Sequence, residues 1–125
     1  MKKIIHTPDA PAPIGPYSQA VLAGNTLYIS GQIAINPHTG ELETNEVMGE
    51  AHRVMKNLEA ILTAAGFSFA DVVKTGIFLS DMALFNRVNE VYASYFSGDY
   101  PARETVAVRT LPRNVNVEIS MIAVK

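Results

Sequence analysis

The fold is decided by the last segment of the chain, Val115-Asn116-Val117-Glu118-Ile119-Ser120-Met121-Ile122-Ala123-Val124. Successive side chains of a β-strand point to opposite faces of a sheet, and this segment alternates in that way. The odd positions from Val117 to Ala123 are all apolar, which predicts a face covered by helices. The even positions are half polar and half apolar, which is typical of a subunit interface. The sequence therefore predicts an oligomer.

One charge interrupts this strand. Glu118 lies among apolar neighbours, where an ionised carboxylate is costly to bury unless it is paired or its pKa rises. Proteins tend to keep such groups where they have a task. Glu118 is therefore a candidate general base or acid. The plainer interpretation, a carboxylate on an edge strand paired with a surface lysine, stays open.

A second charge offers a complement to this carboxylate. Arg103 lies near the start of a strand predicted to begin at Pro101, and a planar guanidinium can bind a carboxylate through two hydrogen bonds. The alternative is an exposed arginine paired with Glu104.

The register of the last two strands bears on whether these charges meet. If the turn between them centres near Pro112, Glu118 lies opposite Ala107, and Arg103 lies about 13 Å further along. The two side chains would then line one cleft or meet across an interface between copies, and the sequence does not separate these possibilities.

The remaining elements follow from hydrophobic periodicity. Strands are predicted for 18–23, 26–32 and 72–79, and the Gly24-Asn25 pair suits a tight hairpin between the first two. Helices are predicted for 47–65, capped by Gly66, and for 82–96, capped by Asp81. The order is β-β-β-α-β-α-β-β, which indicates an α+β fold with two helices on one face of a mixed sheet. No repeat or linker divides residues 1–125, so one domain is expected.

Composition excludes several classes of function. The chain is 48% hydrophobic, has a net charge of −2 and contains no cysteine. The charge disfavours general nucleic-acid binding, and the lack of cysteine removes thiolate chemistry. His6, His38 and His52 have no ligand spacing and no phosphate-binding loop occurs, so neither a metal nor a cofactor is expected. Without an apolar leader or a membrane-length segment, a cytoplasmic protein is expected.

Four further residues are candidates for a binding site. Tyr17 follows the rigid Gly15-Pro16 turn and is placed to cover a pocket, although it also fits an ordinary half-buried tyrosine. Ser30 and Gly31 end a strand without the context of a nucleophile elbow, so they are donors at most. Asn89 sits in an aromatic helix stripe, where its amide would hold a ligand or a loop, or make a structural hydrogen bond.

Taken together, these segments resemble the RidA family, also called YjgF/YER057c/UK114. The resemblance spans nearly the whole chain and is carried by the following segments, in order: Ala12-Pro13-Ile14-Gly15-Pro16-Tyr17-Ser18-Gln19-Ala20, Ile29-Ser30-Gly31-Gln32, Asn57-Leu58, Ala65-Gly66, Val88-Asn89-Glu90-Val91-Tyr92, Pro101-Ala102-Arg103, Leu111-Pro112 and Val117-Glu118-Ile119.

This resemblance implies a chorismate-mutase-like fold of the bacillus type and a homotrimer with sites in clefts between subunits. It also implies a cofactor-independent hydrolysis of 2-iminobutanoate and 2-iminopropanoate, enamine/imine species released by pyridoxal-phosphate dehydratases, to 2-oxo acids and ammonia. Arg103 would bind the substrate carboxylate and Glu118 would activate water. Tyr17, Ser30, Gly31, Asn89 and the backbone at Thr105 would shape the site.

One position departs from the family pattern. Thr105 stands where members often have a cysteine, which puts thiol-dependent regulation in doubt but not the hydrolysis. Glu104 should point away from Arg103, since neighbouring strand residues face opposite sides. Two other functions stay open: a small-carboxylate-binding protein without turnover, and a translation inhibitor or endoribonuclease of the same fold. A chaperone-like role has no sequence feature to support it.

Overall fold

A computed structural model describes all 125 residues. The predicted order β-β-β-α-β-α-β-β and the α+β class are confirmed. The strands are β1 (Lys2–Ile5), β2 (Ala20–Ala23), β3 (Thr26–Gln32), β4 (Val72–Leu79), β5 (Ala102–Ala107) and β6 (Val117–Val124), and the helices are α1 (Val47–Ala64) and α2 (Phe85–Ala93).

The first helix forms where its apolar period predicted. Glu46 caps its start by accepting from the backbone N–H groups of Met48 and Gly49, and Gly66 follows its end at φ +81°. A positive φ strains any residue with a Cβ, so glycine suits this position. The buried stripe of α1 packs onto the sheet and forms much of the core together with the odd positions of β6.

The second helix is shorter than the predicted 82–96. Asp81 caps a 3-10 turn over Met82–Leu84, where its side-chain carboxylate accepts from the Ala83 backbone N–H, and the α-helix begins only at Phe85. At the other end, Tyr95 and Phe96 donate to residues three positions earlier rather than four. Such bonds tighten the chain into 3-10 geometry, which ends the α-helix at Ala93.

The strands form one mixed sheet in the order β1-β2-β3-β6-β4-β5. The register predicted between the last two strands is wrong, because β5 and β6 are not neighbours. β5 pairs in parallel with β4, and β6 pairs antiparallel with both β3 and β4. A parallel pair requires a crossover, which α2 provides between β4 and β5. β6 therefore lies in the middle of the sheet, not at an edge.

The two faces of the sheet are covered differently. Val117, Ile119, Met121 and Ala123 are buried under the helices, which confirms the predicted core face. The opposite face, called the open face below, carries no helix. Its side chains include exposed apolar groups from β1, β3, β5 and β6, namely Ile4, Tyr28, Val106 and Val124. Neither helix has the length and hydropathy to cross a membrane.

Candidate functional site

A β-bulge creates the surroundings of Glu118. Ile29 pairs with Met121 and Gln32 pairs with Ile119, so β3 has one residue more than β6 across this stretch. The extra residue falls at Ser30-Gly31, directly beside Glu118. Bulges bend a strand and re-aim its side chains, and they are common next to active sites.

Gly31 is required by this close approach. A Cβ built at Gly31 would overlap the Glu118 carboxylate. Any other residue would push the carboxylate out of its position, whereas glycine lets it lie against the β3 backbone. The sequence placed Gly31 near a site but gave no reason for a glycine there.

Glu118 opens into a cavity of about 460 Å³, called the Glu118 cavity below. The sheet supplies Ser30, Gly31 and Glu118, and the loop between β1 and β2 supplies an apolar wall. That wall is formed by Pro11, Ala12, Ile14 and Tyr17. The volume falls within the range of ligand sites, roughly 300–1,000 Å³.

The carboxylate in this cavity is unpaired. No hydrogen bond and no salt bridge within the chain reaches the Glu118 carboxylate. Burial raises the pKa of the Glu118 carboxyl above its usual value, because a partly desolvated site disfavours the charged form. The open interpretation of a glutamate paired with a surface lysine on an edge strand is therefore wrong. A carboxyl with a raised pKa can take up and return a proton closer to neutral pH.

Tyr17 and Ser30 are held at this cavity by local bonds. The Tyr17 backbone N–H donates to Gly15 O at 2.8 Å, a tight turn that brings the ring into the wall, and the Tyr17 hydroxyl accepts from Ile14 N at 3.4 Å. The Ser30 hydroxyl donates to Ser18 O at 2.6 Å. The proton of Ser30 is thus already engaged, so its oxygen is left as an acceptor.

Arg103 lies in a second pocket of about 500 Å³, lined by Asn89, Tyr92, Ala93, Tyr100, Pro101 and Arg103 and called the Arg103 pocket below. An Arg103 amino group donates to Asn89 Oδ1 at 2.7 Å. The guanidinium also lies 5.1 Å from the centre of the Tyr92 ring and 5.6 Å from that of Phe85. Helix α2 therefore orients the guanidinium, through an amide on one side and aromatic faces on the other.

The neighbours of Arg103 on β5 point alternately to the two faces of the sheet, as successive side chains of a strand do. Glu104 turns to the open face and pairs with Lys74 at 3.3 Å, so the prediction that it points away from Arg103 is confirmed. The alternative Arg103–Glu104 pair is wrong for the same reason. Thr105 faces the helices, and its hydroxyl is buried with no hydrogen-bond partner.

The two charged groups lie on opposite faces of the sheet. Arg103 shares a row with Thr75 and Met121, which face the helices. Glu118 shares a row with Phe78 and Val106 on the open face. Arg103 and Glu118 are separated by two strand spacings across the sheet and by three residues along it. Their Cα atoms are therefore about 14 Å apart, and their side chains point away from each other. One cleft within a single subunit is therefore excluded.

Sequence reasoning missed three buried polar side chains behind the Glu118 cavity. Glu50 on α1 accepts from the backbone N–H groups of Asn116 and Val117, at 2.7 and 3.0 Å, and so holds the start of β6. Asn57 donates to Ile33 O and Ile35 O, on the far wall. Gln19 holds the loop that forms the near wall. A signal existed for Glu50, since it falls three residues after Val47 on the apolar stripe of the helix.

No group of three His, Asp or Glu side chains lies close enough together to hold a metal ion. His52 is an exposed surface residue, where its Nδ1 meets the Tyr95 hydroxyl at 2.9 Å, and no histidine lines either pocket. The chemistry available in the two pockets is thus that of one carboxylate, one guanidinium and hydroxyl or amide groups.

Comparisons with known proteins agree on one family. The family model described as Endoribonuclease L-PSP matches residues 7–125. A mouse protein named 2-iminobutanoate/2-iminopropanoate deaminase is 50% identical, over 100% of this chain and 93% of its own length. Other relatives at 50% identity are named RutC family proteins.

Solved structures confirm the fold. RidA from Psychrobacter sp. PAMC 21119 has a TM-score of 0.95 and 45% identity, covering 98% of this chain and 99% of that chain. Escherichia coli TdcF, solved with bound serine, has a TM-score of 0.94 and 42% identity, covering 98% of both chains. The chorismate-mutase-like architecture expected from the sequence resemblance is that of these structures.

Proposed function

This chain belongs to the RidA/YjgF family, the family described as Endoribonuclease L-PSP, and from that premise we propose that it is a 2-iminobutanoate/2-iminopropanoate deaminase. Relatives at close to half identity, matched over more than nine-tenths of their length, carry this name. The proposal makes the protein a hydrolase of small 2-imino acids from pyridoxal-phosphate dehydratases, and places it in the cytoplasm.

The observation that carries the proposal is the unpaired Glu118 carboxylate beside Gly31. In the proposed reaction it takes a proton from water while the water oxygen bonds to the carbon of the protonated imine and the C=N electron pair moves to nitrogen. Glu118 then gives that proton to the nitrogen of the resulting carbinolamine, the C–N bond breaks and ammonia leaves. Glu118 takes up the hydroxyl proton as the C=O bond of the 2-oxo acid forms, and passes it to the departing ammonia. Glu118 serves as base in the first step and acid in the second, a sequence suited to a carboxyl whose pKa burial has raised.

Arg103 is the proposed anchor for the substrate carboxylate. Its guanidinium is already oriented by Asn89, and its remaining N–H groups can donate two parallel charge-assisted hydrogen bonds to a carboxylate. Fixing the carboxylate fixes the imine carbon, which is bonded directly to the carboxyl carbon and is where water must attack. The buried Thr105 hydroxyl and the backbone beside it would complete this end of the site.

A second copy of the chain is proposed to complete the site. Arg103 and Glu118 diverge within one subunit, so the Arg103 pocket of one copy would meet the Glu118 cavity of the next. The open face supports such packing, because Tyr28 is 50% exposed and Val106 44% exposed on a sheet face without helices. Closure of this head-to-tail contact into a ring gives the homotrimer implied by the family.

The test is a competition between the protein and semicarbazide for 2-iminobutanoate generated in place from threonine by a dehydratase. Wild type should divert the imine to 2-oxobutanoate before the trap captures it, and Arg103→Ala and Glu118→Ala should not. Glu104→Gln is the matched control, since Glu104 is next to Arg103 but faces the other way. If semicarbazide captures 2-iminobutanoate as fast with wild-type protein as without protein, the proposal is overturned.

A carboxylate-binding protein without turnover is the second candidate, favoured by the serine bound to the TdcF structure. It requires Arg103 but not Glu118 as a base. Binding of a small carboxylate that survives Glu118→Gln, together with no protection of the imine, would support this candidate. The endoribonuclease description of the family is harder to reconcile with a net charge of −2, and a salt-sensitive RNA complex would be its evidence.

A further inference from the structure

The loop between β1 and β2 has no regular structure of its own. Ile5 pairs with Ala20, so residues 6–19 leave and re-enter the sheet at adjacent positions; they are called the N-terminal loop below. Loops of this length within a compact domain usually have a function. This one supplies the apolar wall of the Glu118 cavity through Pro11, Ile14 and Tyr17, so its position determines the shape of the cavity.

One side chain makes most of the hydrogen bonds that attach this loop to the rest of the chain. Gln19 is 1% exposed and lies inside the curve of the loop at its end. Its Oε1 accepts from Thr7 N at 2.8 Å, and its Nε2 donates to Thr7 O at 3.0 Å, Ala10 O at 3.2 Å and Pro11 O at 2.9 Å. One amide thus satisfies backbone groups at three positions of a segment that has no strand partner.

The backbone at Gln19 is bonded to strand β3. The Gln19 carbonyl accepts from Ser30 N at 3.0 Å, and the carbonyl of the preceding Ser18 accepts from the Ser30 hydroxyl. Gln19 therefore connects the bulge that lies beside Glu118 with the wall that faces it. The other loop bonds are local, such as Asp9 N to Thr7 Oγ1 at 3.2 Å, and do not attach the loop to the sheet.

We propose that Gln19 is a positioning residue, which holds the N-terminal loop against the sheet and so sets the wall of the Glu118 cavity that contacts the substrate. This rests on the proposed function for its kinetic consequence, but not for its structural one. Glu118 and Gly31 belong to the sheet and stay in place when the loop moves. Loss of Gln19 should therefore weaken substrate binding more than it slows the chemical step.

Two substitutions separate the hydrogen bonds from the volume of the side chain. Gln19→Glu keeps the shape but removes both N–H donors and turns an oxygen toward three carbonyl oxygens. Gln19→Met keeps the approximate volume and removes every hydrogen bond of the side chain. Leu62→Ala is the matched control, because Leu62 is equally buried on α1 near Ser68 and Phe69, and its truncation destabilises the core without changing the loop.

Hydrogen exchange of the amides in residues 6–17 is the direct readout. Below the unfolding temperature, both Gln19 variants should exchange these amides about tenfold faster or more, and Leu62→Ala should not. In the imine assay, both should raise KM about tenfold or more and change kcat by less than about threefold.

Three results would overturn the proposal. One is unchanged exchange in both Gln19 variants. Another is faster exchange with KM unaltered, and a third is an equal rise of KM in Leu62→Ala at a matched loss of Tm. If wild type does not hydrolyse the imine, the proposed function fails by itself. The exchange measurement, with 2-oxobutanoate affinity in place of KM, then still decides the role of Gln19.

Discussion

The Arg103 pocket and the Glu118 cavity differ in how their charged groups are satisfied. Arg103 is already bonded to Asn89 and lies against the rings of Phe85 and Tyr92. The Glu118 carboxylate accepts no hydrogen bond within its chain, and burial raises its pKa. A guanidinium oriented in advance suits binding, whereas an unpaired carboxyl suits proton transfer. The contrast indicates that the two halves of the proposed chemistry are built separately, on opposite faces of one sheet.

The largest effect is expected from removing the base. Glu118→Gln keeps the size of the side chain but abolishes proton uptake, so kcat for imine hydrolysis should fall about 10²- to 10⁴-fold. KM should change little, because the anchor at Arg103 is untouched. Single-turnover and steady-state assays on the same preparation would measure both. A kcat within a few-fold of wild type would show that Glu118 is not the base, and that the Arg103 pocket and the Glu118 cavity do not divide binding and proton transfer between them.

The position of the carboxylate should matter nearly as much as its presence. Gly31→Ala places a Cβ where the Glu118 carboxylate lies, and a displacement of about 1 Å at a reacting group costs about 10²-fold in rate. Gly76→Ala is the matched control, since its Cβ would meet the movable Ser120 hydroxyl at 3.3 Å and make an ordinary contact with the Phe78 ring at 3.5 Å on the same face. Equal activities for the two variants would show that the bulge does not aim Glu118.

A smaller change is expected at the other half. Arg103→Lys retains the charge but loses the two-pronged guanidinium and its contact with the aromatic rings, so kcat/KM should fall about tenfold, mainly through KM. Glu104→Gln, one residue away on the other face, should leave both parameters near wild type. A loss carried by kcat instead would mean that Arg103 also takes part in the chemical step.

The smallest effect concerns stability and its dependence on pH. Because the pKa of Glu118 is higher in the folded state, folding binds a proton in the window between the ordinary glutamate pKa and the raised one. The contribution of Glu118 to wild-type stability should therefore fall as pH rises through that window, from about 4 upward, and stay constant above it.

Glu118→Gln lacks this dependence. Its free energy of unfolding should match that of wild type at acidic pH and exceed it at neutral pH, as denaturant titrations at a series of pH values would measure. A variant less stable than wild type at neutral pH would show that Glu118 is paired with a cation in the assembled protein, which contradicts an unpaired carboxylate.

Local patterns in the sequence determined the elements well. Strand 72–79 has the predicted bounds, and the helix from Val47 ends within one residue of its predicted end. The alternation of 117–123 correctly predicted the covered face. These features depend on side chains a few residues apart, whose burial period appears directly in the sequence.

The pairing of strands that are distant along the chain was not predicted correctly from the sequence. The turn at 111–114 resembled a hairpin, but the crossover through α2 places β4 between β5 and β6. This strand order decides that Arg103 and Glu118 face opposite ways. The role of Gly31 depends on the same distant pairing, since only the bulge brings it against Glu118. Gln19 was quoted in a motif without a role, because its partners are backbone groups, which carry no sequence signal.

The most direct test of the account is complementation between two inactive variants. Arg103→Ala retains Glu118 and Glu118→Gln retains Arg103, so a mixed oligomer forms an intact site wherever the right pair of copies meets. After unfolding and reassembly of an equal mixture, with mixed oligomers verified by native mass spectrometry, activity should recover to about a quarter of wild type, the chance of that pairing at each site. A mixture as inactive as either variant alone would contradict a site shared between two copies.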